Sequence, residues 1–223
     1  MPRLSRRRFL TRMATLPVLA TLPVPSSSQA GRQYRIELVI FEHLGAESRA
    51  FIDGVARPME ANLSGFGIGE GPIRPSRDGF ELARVADRVE RSGQARVLAR
   101  LAWDETGRDY QSAAWMRIQE GRYLGLRNPG EAQEEEGATV GLRPLAPQQE
   151  RYELEGRLRV WVGRFLHLET DLVYYPPDAI GSEPDIPHGV PVRGSQRMNS
   201  GDELFYLDNP VIGVIARVTR IDE

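Results

Sequence analysis

On either side of Gly163-Arg164-Phe165 the chain alternates in a regular way. Leu158, Val160, Val162, Leu166, Leu168 and Leu172 share one parity; Arg157, Arg159, Trp161, His167, Glu169 and Asp171 share the other. Successive side chains of a strand point to opposite faces, so the second set would line one surface. An aromatic face beside arginine forks can hold a sugar ring and its attached carboxylates. Arg159, Trp161 and His167 would supply that face, with Arg164 at the tip of a turn. His167 with Glu169 and Asp171 could instead do acid–base work, as in a hydrolase using His167 and Asp171. The plainer reading, which outweighs both, is that Trp161 covers a small second core and the polar residues form a solvated strand face.

Little else in the sequence could carry chemistry. The three histidines, His43, His167 and His188, lack metal-ligand spacing, and zinc usually takes three or four ligands. No Gly-x-Ser-x-Gly elbow presents a serine nucleophile. Cysteine is absent, which removes disulfides, thiolate catalysis and thiolate-bound metals together. Gly65 to Gly71 alternates glycines, but a dinucleotide fingerprint needs a strand before it and a helix opening within it. Here the helix begins near Phe80, after two prolines, so this run reads as a loop. No catalytic residue, metal or cofactor is expected.

The elements that must position these residues can be read from pattern. Seventeen residues from Arg157 to Val173 are too many for one strand of about 3–10 residues. A hairpin with Arg164 at its tip resolves this. It sets Val162 opposite Leu166 and Val160 opposite Leu168 on the core side. It sets Trp161 opposite His167, Arg159 opposite Glu169 and Arg157 opposite Asp171 on the other, with both charge pairs of opposite sign. Tyr34–Phe41, Arg96–Trp103, Ala113–Gln119, Val192–Met198, Leu204–Leu207 and Val211–Ile221 read as further strands. One helix has readable ends: Asp78 as N-cap with Glu81 three residues on, a stripe of Leu82, Val85, Ala86 and Val89, and Gly93 as terminator. Trp103 and Trp115 read as core. Gly45–Arg77, Asn128–Gln149 with its Glu134-Glu135-Glu136 run, and Tyr174–Pro191 read as connections. The expected fold is α+β: a largely antiparallel β-sheet with one main amphipathic helix packed on it, in a single domain.

The first 30 residues read as an export signal. Five arginines precede an apolar stretch from Met13 to Val24, and Ser28-Gln29-Ala30 offers small residues for cleavage after Ala30. Arg6, Arg7, Phe9 and Leu10 fit the twin-arginine pattern. The apolar stretch is short of the roughly 20 residues a bilayer span needs, and no later segment is long and apolar enough either. Residues 31–223 would then be a single periplasmic domain. Without the leader, 24 of the 29 cations remain against 31 acids, a formal charge of −7. That balance is a poor match for nucleic acid, which needs a basic surface.

Four blocks give the chain a resemblance to a known family. They are Ile36–Glu42, Arg96–Trp103, Gly156–Val160 leading into Arg164–Leu168 with Asp171-Leu172, and Arg197-Met198 with Glu203–Pro210 and Gly213. Together they resemble the CsiV family of periplasmic peptidoglycan-binding proteins. The match is incomplete: Gln196 stands where the family carries a second arginine, and Phe205 and Asn209 where it carries histidines. The resemblance implies a non-enzymatic, cofactor-free protein of envelope maintenance and cell shape, partnered by peptidoglycan or cell-wall synthesis proteins. Arg197 thereby joins Arg159, Trp161, Arg164 and His167 as a candidate ligand-binding residue. A protein-interaction module without glycan affinity is the alternative, and the hydrolase the second alternative.

Overall fold

The computed structural model describes residues 31–71, 74–75, 79–127, 149–177, 187–199 and 203–221. The expected leader and its expected cleavage after Ala30, with Asp78 and the acidic run, lie outside the described residues. The elements are β1 (Gln33–His43), α1 (Ala46–Val55), β2 (Arg57–Pro58), β3 (Arg74–Pro75), α2 (Ala83–Arg91), β4 (Ala95–Thr106), β5 (Met116–Arg127), β6 (Gln149–Val162), β7 (Leu166–Tyr174), β8 (His188–Met198), β9 (Phe205–Asp208) and β10 (Ile212–Ile221). Two five-stranded sheets form, ordered β3-β4-β1-β10-β9 and β2-β8-β7-β6-β5, with antiparallel neighbours throughout.

The core lies between the sheets because each strand spends one parity on it. Ile36, Leu38 and Ile40 of β1 and Val214, Ala216 and Val218 of β10 meet Leu158 and Val160 of β6 and Leu168 and Leu172 of β7. The mixed α+β character and the antiparallel pairing agree with the sequence reading. The expectation of one main amphipathic helix does not: the described residues hold two small helices. The second, α1, falls in the stretch read as a loop. It was hidden because it has no continuous apolar stripe: Ser48 is its buried residue, while Phe51 is exposed.

The predicted hairpin forms in the expected register. Val162 pairs with Leu166, Trp161 with His167, Val160 with Leu168, Arg159 with Glu169 and Arg157 with Asp171. Alternation and charge complementarity fix this register, since a one-residue slip would turn the apolar set to solvent. Gly156 is required here. Its φ is +136°, and a Cβ on it would stand 2.3 Å from the Asp171 carbonyl oxygen of the facing strand.

β4 departs from simple alternation. Val97, Leu101 and Trp103 share a parity, yet Val97 packs under α2 while Leu101 and Trp103 enter the main core. A register shift against β1, where Ile40 pairs with Ala99 and Phe41 with Val97, inserts Leu98 as an extra residue and exchanges the faces.

The stripe on α2 packs as its spacing demands, with Leu82, Val85, Ala86 and Val89 against Val39 and Phe41 of β1. Gly93 follows with φ +67° and ends the helix. The start differs from expectation. Glu81 reaches away from any capping box and bonds Arg217. The buried carboxylate of Glu37 on β1 takes the cap's place, accepting from the Glu81 and Leu82 backbone N–H groups at 3.0 Å each. This bond also ties helix to sheet. Glu37→Ala is expected to cost about 1–2 kcal/mol, measured by urea unfolding, with Glu37→Gln intermediate because it keeps one acceptor. A Glu37→Ala curve superimposing on the parent would refute the capping role.

A candidate arginine and aromatic face for ligand binding

The outer face of β6, β7 and β8 carries the residues singled out by sequence. Across the three strands they form cross-strand rows: Trp161–His167–Arg197, Arg159–Glu169–Ser195 and Arg157–Asp171–Arg193. In the first row the Trp161 and His167 rings stack, 3.8 Å between centroids and 4° between planes. Tyr110 meets Trp161 edge-on at 5.3 Å. Arg197 lies over the Phe165 ring at 4.6 Å, and Arg164 approaches the same ring at 5.5 Å.

Arg159 is placed differently from its neighbours. Its guanidinium sits between the Tyr110 and Trp115 rings, 4.2 and 4.4 Å from their centroids. Its Nε and Nη2 donate to Glu169 at 2.9 and 2.7 Å. The residue is buried, and its fork is already filled by Glu169. Such a pair braces the face rather than waiting for a ligand. Trp115, read from sequence as core, is half-buried on this outer face, with Arg157 over it at 4.3 Å as well. The stems of Arg157 and Arg159 cover part of the Trp115 ring, so an outer-face tryptophan is half-buried without entering the core.

What this face leaves accessible is cationic. The Arg193 side chain is mostly exposed while bonding Asp171 at 2.8 Å, and Arg164 and Arg197 are exposed. A groove of about 400 Å³ runs past Trp115, Asp171, Arg193 and Ser195. Arg117, Arg157, Arg159, Arg164, Arg193 and Arg197 together outnumber Glu70, Glu169 and Asp171, so this face is locally positive on an acidic chain. The Trp161 Nε1–H is buried with no hydrogen-bond partner among the described residues.

The face does not assemble an acid–base pair. His167 and Asp171 share a surface, but four residues along a strand separate them by about 13 Å. Asp171 is instead held by Arg157 and Arg193. Burial, and then the Arg197 charge, push the His167 imidazole below its ordinary pKa, so it is neutral at neutral pH. His43 lies elsewhere, 3.5 Å from Asp208, and the exposed His188 sits on β8 beside β2. Among the described residues no cluster of His, Asp or Glu could hold a metal ion. Nor is any described helix long and apolar enough to cross a membrane.

Sequence reasoning missed a second polar assembly, built from five elements. Glu153 on β6 is fully buried. It accepts from Arg96 Nη1 at 3.1 Å and Nη2, and from the backbone N–H and Nη2 of Arg122, each at 3.1 Å. Arg96 Nε donates to Glu42 at 2.7 Å, and the Tyr174 hydroxyl donates to the other Glu42 oxygen. Burial alone would raise the Glu153 pKa, but the bonds from Arg96 and Arg122 outweigh it and hold the carboxyl below its ordinary value. Burial likewise works against the Arg96 charge, and the bonds to Glu42 and Glu153 more than restore it. The charges on these residues balance. A signal was present in the sequence, in the form of acids and arginines at strand positions, but their pairing depends on topology.

A family model described as "Peptidoglycan-binding protein, CsiV" matches residues 12–221. Neither the curated proteins nor the solved structures contain a match.

Proposed function

Since the chain belongs to the CsiV family of peptidoglycan-binding proteins, we propose that it is an exported, non-enzymatic periplasmic protein that binds the wall polymer through the outer face of β6, β7 and β8. The observation that carries this reading is the exposed arginine set on a braced aromatic frame. Arg164, Arg193 and Arg197 would take carboxylates of the polymer, because the guanidinium fork binds them in pairs. Trp161, His167 and Arg159 would hold the frame rigid, and the half-exposed Tyr110 ring would offer a surface for a sugar. The leader with Arg6, Arg7, Phe9 and Leu10 supports export by the twin-arginine route, with cleavage after Ala30. Envelope maintenance with wall-synthesis proteins as partners follows from the same reading.

Co-sedimentation of residues 31–223 with purified sacculi tests it. The parent is expected to pellet at low salt and to be released as salt rises. Arg193→Glu with Arg197→Glu should weaken pelleting about tenfold or more while the thermal midpoint stays close to the parent's, since both side chains are exposed. A parent that stays in the supernatant at low salt ends the glycan reading and directs the search to protein partners. A charge-reversed pair that pellets as well as the parent moves the site off this face.

A further inference from the structure

A second cleft lies away from the arginine face. It has a volume of about 510 Å³ and opens between α1, the end of β1, the Arg122 turn of β5 and the chain leaving β7, a size typical of small-ligand sites of about 300–1,000 Å³. Its floor is electrically settled: Glu42 and Glu153 are matched by Arg96 and Arg122, and Tyr174 donates to Glu42. Its walls are not. Arg49 and Asp53 stand one turn apart on α1, both exposed, and neither has an ion-pair partner among the described residues. Arg122 spends Nε, Nη2 and its backbone N–H on Glu153, which leaves Nη1 for a ligand, and 57% of its side chain remains exposed. Leu44, Ile52, Ala56, Pro176 and Pro177 add apolar surface to the lining, and His43 and His188 add imidazoles.

Free charges of both signs above a neutral floor suit a ligand that itself carries both signs. We propose that this cleft binds a short zwitterionic peptide with small side chains, its carboxylate on Arg49 and Arg122 and its ammonium on Asp53. Both charged contacts are charge-assisted hydrogen bonds, the kind strong enough to select a ligand end. The apolar part of the lining accepts methyl groups. The inference stands apart from the wall-binding reading: a stem attached to the glycan has its N-terminus in an amide bond, so the ligand is a free peptide.

Calorimetric titration of residues 31–223 with alanylalanine, in its D,D and L,L forms, tests the proposal. At least one form is expected to bind saturably. Its N-acetyl and C-terminal amide derivatives should each bind about tenfold or more weakly. Arg49→Gln should lose the preference for a free carboxylate, and Asp53→Asn the preference for a free amine, with unfolding midpoints unchanged because both residues are exposed on α1. Absence of saturable binding by either dipeptide overturns the proposal, as does equal binding of the blocked derivatives. Sacculus pelleting run in parallel separates the two readings. Pelleting without dipeptide binding removes the cleft proposal alone. Dipeptide binding without pelleting keeps the cleft and removes the wall-binding reading.

Discussion

Glu153→Gln is expected to lower stability by about 3–5 kcal/mol, the usual consequence of removing one partner from a buried ion pair. The parent carboxylate is fully buried and serves two arginines from different sheets, Arg96 on β4 and Arg122 on β5. Glutamine keeps the volume and one acceptor but leaves two guanidiniums facing a neutral group, with Glu42 alone to answer Arg96. Arg122→Gln should cost much less, within about 1 kcal/mol, because its side chain is half in water and its loss leaves Glu153 paired with Arg96. Urea unfolding of the three proteins at one pH measures both. Equal losses for the two variants would mean that the shared carboxylate is not the keystone of the network. The parent should also lose stability in acid: the Glu153 pKa is depressed in the fold, so its contribution is present above the ordinary carboxylate range and disappears as pH falls through the folded value.

A pH dependence of opposite sign is expected from Glu105. This residue on β4 is buried, accepts from the Trp103 indole N–H at 3.1 Å and has no close guanidinium ion pair among the described residues. Burial therefore dominates, and its pKa is pushed from 4.5 to about 7. The folded state thus holds a proton that the unfolded chain has released. The resulting stability is fully present below about pH 4.5 and is lost as pH rises through about 7, a fall of about 3 kcal/mol in all. Glu105→Gln imitates the protonated acid and can still accept from Trp103. Its stability should match the parent's near pH 4 and exceed it by up to about 3 kcal/mol near pH 8. Unfolding midpoints across that range decide the matter, and parallel curves for parent and variant would rule out the titration of Glu105.

The contrast between these two acids shows where the sequence is readable. The β6–β7 hairpin was legible because its apolar parity, its charge pairs and its turn all require the same register. The α2 stripe was legible because Leu82, Val85, Ala86 and Val89 have only one partner surface, the back of β1. The first half of β6 was not: Arg151, Glu153 and Glu155 are charged yet buried, so a strand looks like a polar connection until its partners are known. The same holds for the end of β7, where Tyr174 and Tyr175 are fully buried beside a proline-rich stretch. β4 misleads through one inserted residue, which puts Val97 and Leu101 on opposite faces. Of the candidate ligand residues, sequence brought together the right strands. It set Arg159 against Glu169, as the structure does, but did not reveal that Trp115 and Tyr110 would enclose the guanidinium. Those contacts join segments about 50 residues apart, as in the bond from Arg159 to the Tyr110 carbonyl.

The pairing of β1 with β10 joins residues 33–42 to 212–221. A ribosome delivers β1 first and β10 last, so the middle of one sheet stays half-zipped for almost the whole of synthesis. β4 can close one side of β1 early. The other side keeps its backbone donors and acceptors bare, next to Val39 and Phe41, until the final segment emerges. Such an edge invites pairing with a neighbouring chain, and contacts this distant in sequence close slowly. A nascent chain of this kind needs a chaperone's protection more than its finished stability suggests. A product terminated before Val211 would not be a smaller version of the protein but a seed for aggregation. On the export reading, a route that accepts finished cargo would let the last strand seat itself before the journey begins.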